Sequence, residues 1–183
     1  MEYQEISIDK AYRLVNHGPL VLLSTVSADK KYDIAPIAWN CPVGKSPTRI
    51  LLAVGREHKS RKNVKATGVF AVSIPSVMQL EIVKNTGSVS GHEVDKISRF
   101  SISCITGRQV DVKIPVGCVG YIECKVIKQF DQDKVTLIIG EALCAFVNKE
   151  SFNERVMPEL RSGCTLHHFG GGEFGVISPN LEE

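Results

Sequence analysis

The chain has 183 residues, 43% hydrophobic and 23% charged, a balance that excludes a disordered polypeptide. A chain of this length ordinarily folds around one core, so a single domain over 1–183 is expected. Twenty-two Lys and Arg against 20 Asp and Glu leave a formal charge of +2. No whole-molecule field recruits nucleic acid or an acidic membrane, and any anion site must be local.

The opening MEYQEISIDKAYRLVNHG carries acidic residues and lacks the apolar centre of a signal peptide. No later run is apolar over a spanning length, so the expectation is a cytoplasmic protein with no membrane partner. The six cysteines, at 41, 104, 118, 124, 144 and 164, include no CxxC pair. Several sit in apolar runs, which suits reduced, buried thiols rather than bridges.

In chain order, Asp9 can cap a short helix that Gly18 ends, and Pro19 to Ser27 (PLVLLSTVS) reads as a strand. Asp29 to Lys31 turn the chain into KYDIAPIAWNC, read as one strand whose Pro36 requires a bulge or a sheet edge because it lacks an N–H. Arg49 to Gly55 form a further strand, REHKSRKNVKATG suits a short helix stopped by Gly68, and FAVSIP is the next strand. Three Ser residues precede Gln or Glu by three positions, Ser76 with Gln79, Ser90 with Glu93 and Ser151 with Glu154, each matching a capping box at a helix start. Between Arg108 and Val147 one short and two long strands are expected, the long pair joined by a turn at Asp131 to Lys134. The segment 149–183 is read as a C-terminal helix and tail. With six or seven strands and no βαβ alternation, the fold class is mainly β: an antiparallel split barrel of Greek-key type with a few peripheral helices.

Two segments can build a ligand site. In LLAVGREHKSRKN a strand runs into a helix whose first turn offers free N–H groups, a hydroxyl and cations, the chemistry that a phosphate needs. Arg56, His58, Lys59 and Ser60 are the candidates there, while a capped helix with a charged outer face explains the same residues without a ligand. In STVSADKKYDIAPIAWN, a hairpin would set Ser24, Thr25 and Ser27 opposite Ala35, Pro36, Ile37, Ala38 and Trp39. Small residues and a proline there let a flat ring approach the backbone, although an edge strand with a structural Trp fits as well.

VLLSTVSAD, DIAPIAWNCPV, HKSRKNVKATGVFAVSIP and SGHEVDKISRF, in that order, resemble the flavin reductase-like FMN-binding split-barrel family, near flavoredoxin. The resemblance spans about Pro19 to Asn148, and HHFGGGEFGVIS is similar to the family's closing segment. It implies FMN as cofactor, with the ring beside the Ala35 to Trp39 backbone and Ser24, Thr25 and Ser27 near its polar edge or ribityl chain. The phosphate would lie at His58, Lys59 and Ser60 with Arg56 and Asn63 nearby, and Lys96 of VDKI would add a cation. It also implies a homodimer with the flavin near the interface and residues around His168 within reach of the partner's site. The chain departs from the family's usual Asn at Asp33 and Ile34, and from its usual Phe at Ile97.

Other signals carry less. Gly170, Gly172 and Gly175 satisfy GxGxxG, but too little chain follows for a strand-helix-strand unit, so a flexible loop is the reading there. His167 and His168 have no metal-ligand spacing with the other histidines, and Cys41 reads as a small core residue. Cys118, Gly120, Ile122, Cys124 and Val126 alternate along one face of their strand, the pattern of a barrel interior. The expected activity is oxidoreduction through FMN, with NAD(P)H or a protein as electron donor and no catalytic side chain required. The alternatives are an FMN electron carrier without NAD(P)H turnover, and a barrel that binds another phosphorylated ligand or heme.

Overall fold

The computed structural model describes residues 18–177. The helix expected after Asp9 lies outside them. Strands β1 (Val21–Val26), β2 (Tyr32–Ile37), β3 (Asn40–Lys45) and β4 (Thr48–Gly55) precede helix α1 (Lys59–Thr67) and strand β5 (Val69–Ile74). Helices α2 (Leu80–Ser88) and α3 (Lys96–Arg99) follow, then β6 (Cys104–Thr106), β7 (Lys113–Pro115), β8 (Gly120–Gln132) and β9 (Val135–Val147). Four short strands, β10 (Phe152–Asn153), β11 (Arg155–Val156), β12 (Leu166–Gly170) and β13 (Glu173–Val176), close the described chain.

Seven strands form one antiparallel sheet in the order β2-β1-β5-β8-β9-β4-β3. Its two edge strands, β2 and β3, are joined only by Ala38 and Trp39. Flat, such a sheet would hold its edges about 29 Å apart, whereas the link from Ile37 to Asn40 reaches at most about 11 Å. The sheet must therefore curl until its edges meet, and with no ladder between β2 and β3 it closes as a split barrel. That is the expected fold class.

The interior is filled by Val21, Leu23, Leu52, Val54, Phe70, Val72, Cys124 and Ile138, joined by Val64 of α1. Gly140 makes room for the Phe70 ring, with which any Cβ at that position would collide. The opposite face of β1 is also covered, because Leu22 packs with Ile34, Val83, Ile102 and Leu166 beneath α2 and α3. Burial on both faces explains why β1, VLLSTV, is buried at every position and carries no charge.

Pro36 does lie on an edge strand, where its missing N–H costs no ladder bond. The single strand expected over KYDIAPIAWNC is in fact two, since the chain leaves β2 at Ile37 and crosses to β4 as β3. Helix α1 ends as expected: Gly68 takes φ 70° and donates its N–H to the Val64 carbonyl at 2.9 Å. The Ser76–Gln79 capping box forms on a single 3-10 turn. Ser90 and Glu93 instead shape a turn, and the helix beyond it is capped by Asp95. Among the described residues no helix follows Ser151. Glu154 adopts φ 58°, outside helical space, and the segment forms the hairpins β10–β11 and β12–β13 in place of the expected C-terminal helix. Gly170 and Gly175 lie on the two strands of the second hairpin and Gly172 in the turn between them, in place of a loose loop.

The β8 alternation is interrupted by a bulge between Glu123 and Cys124, and both side chains are fully buried. Glu123 accepts backbone N–H bonds from Arg108, Gln109 and Val110 at 2.7–2.9 Å, fixing the loop before β7. All six cysteines are free; Cys118 and Cys124 are buried, but Cys41 is exposed on β3 and is not a core residue. Among the described residues no helix is long and apolar enough to cross a membrane.

Candidate functional site

The barrel edge, α1 and the chain after α2 enclose a cleft of about 330 Å³. Edge strand β2 supplies Asp33, Ala35 and Pro36, and the start of α1 supplies His58, Lys59 and Ser60. The end of α2 and the polar loop Ser88 to Gly91 form the facing wall, and Lys96 closes one side. His58 is the extended residue preceding α1, and its side chain does not cap the helix, so the first-turn N–H groups keep no side-chain partner. Ser60 is fully buried and its Oγ has no hydrogen bond. A buried hydroxyl left unsatisfied at a helix start is what a site awaiting an acceptor presents.

The charges here are also buried. Lys96 is 4% and Asp33 3% exposed, and Lys96 Nζ lies 3.6 Å from Asp33 Oδ1 while donating to the Ile34 carbonyl at 3.1 Å. Burial pushes the Lys96 ammonium below its ordinary pKa, and the Asp33 carboxylate opposes that shift. Gly91 packs on Asp33 so closely that a Cβ would collide with the carboxylate and press on the Lys59 stem.

Two further hollows adjoin this cleft at Pro36. One, about 280 Å³, runs along Pro36, Ile37, Ala38 and Trp39 to Gly55 and His58. The other, about 490 Å³, is walled by Leu20, Ala38, Val83 and Lys84 and by His168 and Phe174 of the β12–β13 hairpin. His168 Nε2 lies 3.0 Å from the Gly171 carbonyl, and its ring contacts Phe174 at a centroid distance of 5.2 Å.

Of the residues singled out from sequence, Ala35, Pro36, His58, Lys59, Ser60 and Lys96 therefore share the first cleft, and Ile37, Ala38, Trp39 and His168 line the adjoining hollows. Others are engaged elsewhere. The β1–β2 register pairs Ser24 with Ile34 and Thr25 with Asp33, and it is Leu22 that faces Pro36, so the expected pairing of the hydroxyls with Ala35 to Trp39 does not form. Thr25 and Asn63 are buried and bonded to each other, with Nδ2 donating to Oγ1 at 3.0 Å. Ser24 is buried with no hydrogen bond to its Oγ but lines none of these hollows, and Ser27 ties the turn through Asp29 and Lys31. Arg56 pairs with Asp131 at 3.4 Å and donates to the Asp133 carbonyl, away from the cleft. Asp33, Gly91 and the Thr86 to Ser90 wall were not singled out as site residues; the small and polar NTGSVSGHE run was the signal that could have found the wall.

Residues 13–172 match the sequence pattern of the flavin reductase like domain. The chain belongs to that family. Among curated relatives, the uncharacterized protein YddH of Escherichia coli (strain K12) is 29% identical over 173 residues, covering 92% of each chain. The ferric-chelate reductase (NAD(P)H) of Archaeoglobus fulgidus is 25% identical over 143 residues, 78% of this chain and 82% of the relative. Among solved structures, an FMN-binding domain of a flavin reductases-like enzyme from Shewanella baltica OS155 superposes with TM-score 0.82 at 26% identity, covering 97% of this chain and 95% of that one. The split barrel derived above is thus the flavin reductase-like fold.

Proposed function

We propose that this protein binds FMN and passes electrons from NAD(P)H to an acceptor. The observation that carries the reading is the buried, unpartnered Ser60 hydroxyl at the uncapped start of α1, with Lys59 and Lys96 on the same cleft. A phosphate satisfies all of these at once: it accepts from the hydroxyl and the helix N–H groups and offsets the lysine charge. Bound FMN would supply the redox chemistry, so the chain needs no catalytic side chain of its own.

The protein's part is to bind and orient. Edge strand β2 leaves one row of backbone groups outside the ladder, and Pro36 and the small Ala35 and Ala38 give a flat ring room against it. The 490 Å³ hollow opens beside that edge with Ala38, Val83 and Phe174 on its walls and no carboxylate among its lining. It suits a flat donor or acceptor held against the ring face and screened from water. A homodimer that brings His168 near a second site fits this arrangement. The NAD(P)H donor is supported by the ferric-chelate reductase relative.

Two experiments test the reading. Changing Lys59 and Ser60 together to Ala is expected to weaken FMN far more than riboflavin, which lacks the phosphate; equal weakening would move the phosphate site elsewhere. Anaerobic mixing of the FMN-loaded protein with NADH or NADPH is expected to bleach the flavin. Failure of both donors would leave an electron carrier served by another protein.

A further inference from the structure

Resting on the phosphate site proposed above, we propose that Asp33 tunes that site to the singly charged form of a phosphate monoester, so that FMN binding takes up a proton. Asp33 Oδ1 is buried and has no hydrogen bond, and at 3.6 Å the Lys96 ammonium is too far to provide one. Lys96 instead spends a donor on the Ile34 carbonyl. Gly91 closes against the carboxylate from the loop side, leaving no space there for it to swing away. Asp33 thus lines the same 330 Å³ cleft as Lys59, Ser60 and Lys96 with a carboxylate oxygen in need of a donor.

An ionised carboxylate is only an acceptor, and so is a phosphate dianion. Brought together in one small cleft they repel unless a proton lies between them. A phosphate monoester loses its second proton near pH 6, so above that pH the proton must be drawn from solvent on binding. The other charged or titratable groups on the cleft are His58 and Lys59 of the α1 start, Glu57 just before it, and Lys96 of α3; from β1 the residue opposite Asp33 is the neutral Thr25. The substitution Asp33→Asn keeps the side-chain shape but also takes the counter-charge from Lys96, so it is made both in the unmodified protein and in Lys96→Met, where that lysine charge is absent from both members of the pair and the difference isolates the carboxylate.

The test is the ratio of riboflavin to FMN dissociation constants, measured by flavin fluorescence from about pH 5.5 to about pH 8.5. In the unmodified protein the preference for FMN is expected to fall with rising pH, by up to about tenfold per unit where one proton is taken up. In Asp33→Asn the preference is expected to rise or level over the same range, with FMN at least about tenfold tighter at pH 8 and riboflavin changed less than about twofold. Parallel curves for the two proteins, or weaker FMN binding by Asp33→Asn, would overturn the role of Asp33. A preference that rises with pH in the unmodified protein would do so even without the variant. If neither flavin binds, the flavin reading itself falls along with this one, whereas binding with parallel curves removes only the role of Asp33. Calorimetry in buffers of different ionisation enthalpy provides an independent reading, with about one proton taken up per FMN at pH 7.5 expected and none contradicting the proposal.

Discussion

Replacing Ser60 by Ala separates a ligand contact from a structural one, because the two roles have opposite signs. The hydroxyl is fully buried with no hydrogen bond, and a buried polar group in that state costs about 1–3 kcal/mol. Removing it should leave the flavin-free protein as stable as before, or more stable by up to that amount. With FMN, the same oxygen is expected to donate to a charged phosphate, a bond worth about 1.5–3 kcal/mol. The affinity for FMN should then fall by about tenfold to about 150-fold, while riboflavin binding changes little. Urea unfolding of the flavin-free protein gives the first number and fluorescence titration the second. Loss of more than about 1 kcal/mol of stability with FMN affinity unchanged would refute the reasoning, since Ser60 would then be a packing residue.

Glu123→Gln should destabilise the fold by about 1–3 kcal/mol at pH 7, because an amide in that fully buried position cannot accept all three backbone N–H bonds. Burial alone would raise the Glu123 carboxyl, but those N–H donors outweigh it and hold the pKa below its ordinary value. Its contribution is therefore fully present above the unfolded-state value, about 4.3, and is lost as pH falls through the lower folded-state one. Unfolding midpoints of the two proteins should converge in acid; a constant gap down to pH 2 would contradict this. Burial pushes the Cys118 and Cys124 thiols up to about 12, so both should resist alkylation in the folded protein while exposed Cys41 reacts. Mass mapping after a short alkylation pulse checks the order, and early labelling of Cys118 or Cys124 would be the wrong result.

Much of the barrel was legible because its strands carry their burial in their composition. β1 is an uncharged, mostly apolar run since both of its faces are covered, and Gly68 marks the end of α1 through the left-handed turn that it permits. Strand β3 was hidden because NCPVGK is polar and largely exposed, so no apolar period announces it. The β1–β2 register depends on the turn held by Ser27 and Lys31, which composition does not encode, and this is why Leu22 rather than a hydroxyl faces Pro36. The Ser151 capping pattern failed because local helix signals need a chain that can continue the helix; Glu154 turns left-handed and Pro158 follows.

At the site, the α1 start and Lys96 were readable as a cation-rich segment and a lysine in a motif. The fate of Arg56 was not, because its partner Asp131 lies at the tip of the β8–β9 hairpin, far along the chain. Asp33 stood out only as a departure from the family's usual Asn, and not as a site residue, for the same reason. Its significance comes from Lys96 and Gly91, some sixty residues away, which fold over a carboxylate that the strand alone would leave unremarkable.

The most direct test of the whole account is a titration of the flavin-free protein with FMN, followed by the visible flavin bands and by calorimetry. Saturation at one FMN per chain is expected, with riboflavin binding more weakly at neutral pH. A protein that remains colourless and takes up no FMN would contradict it.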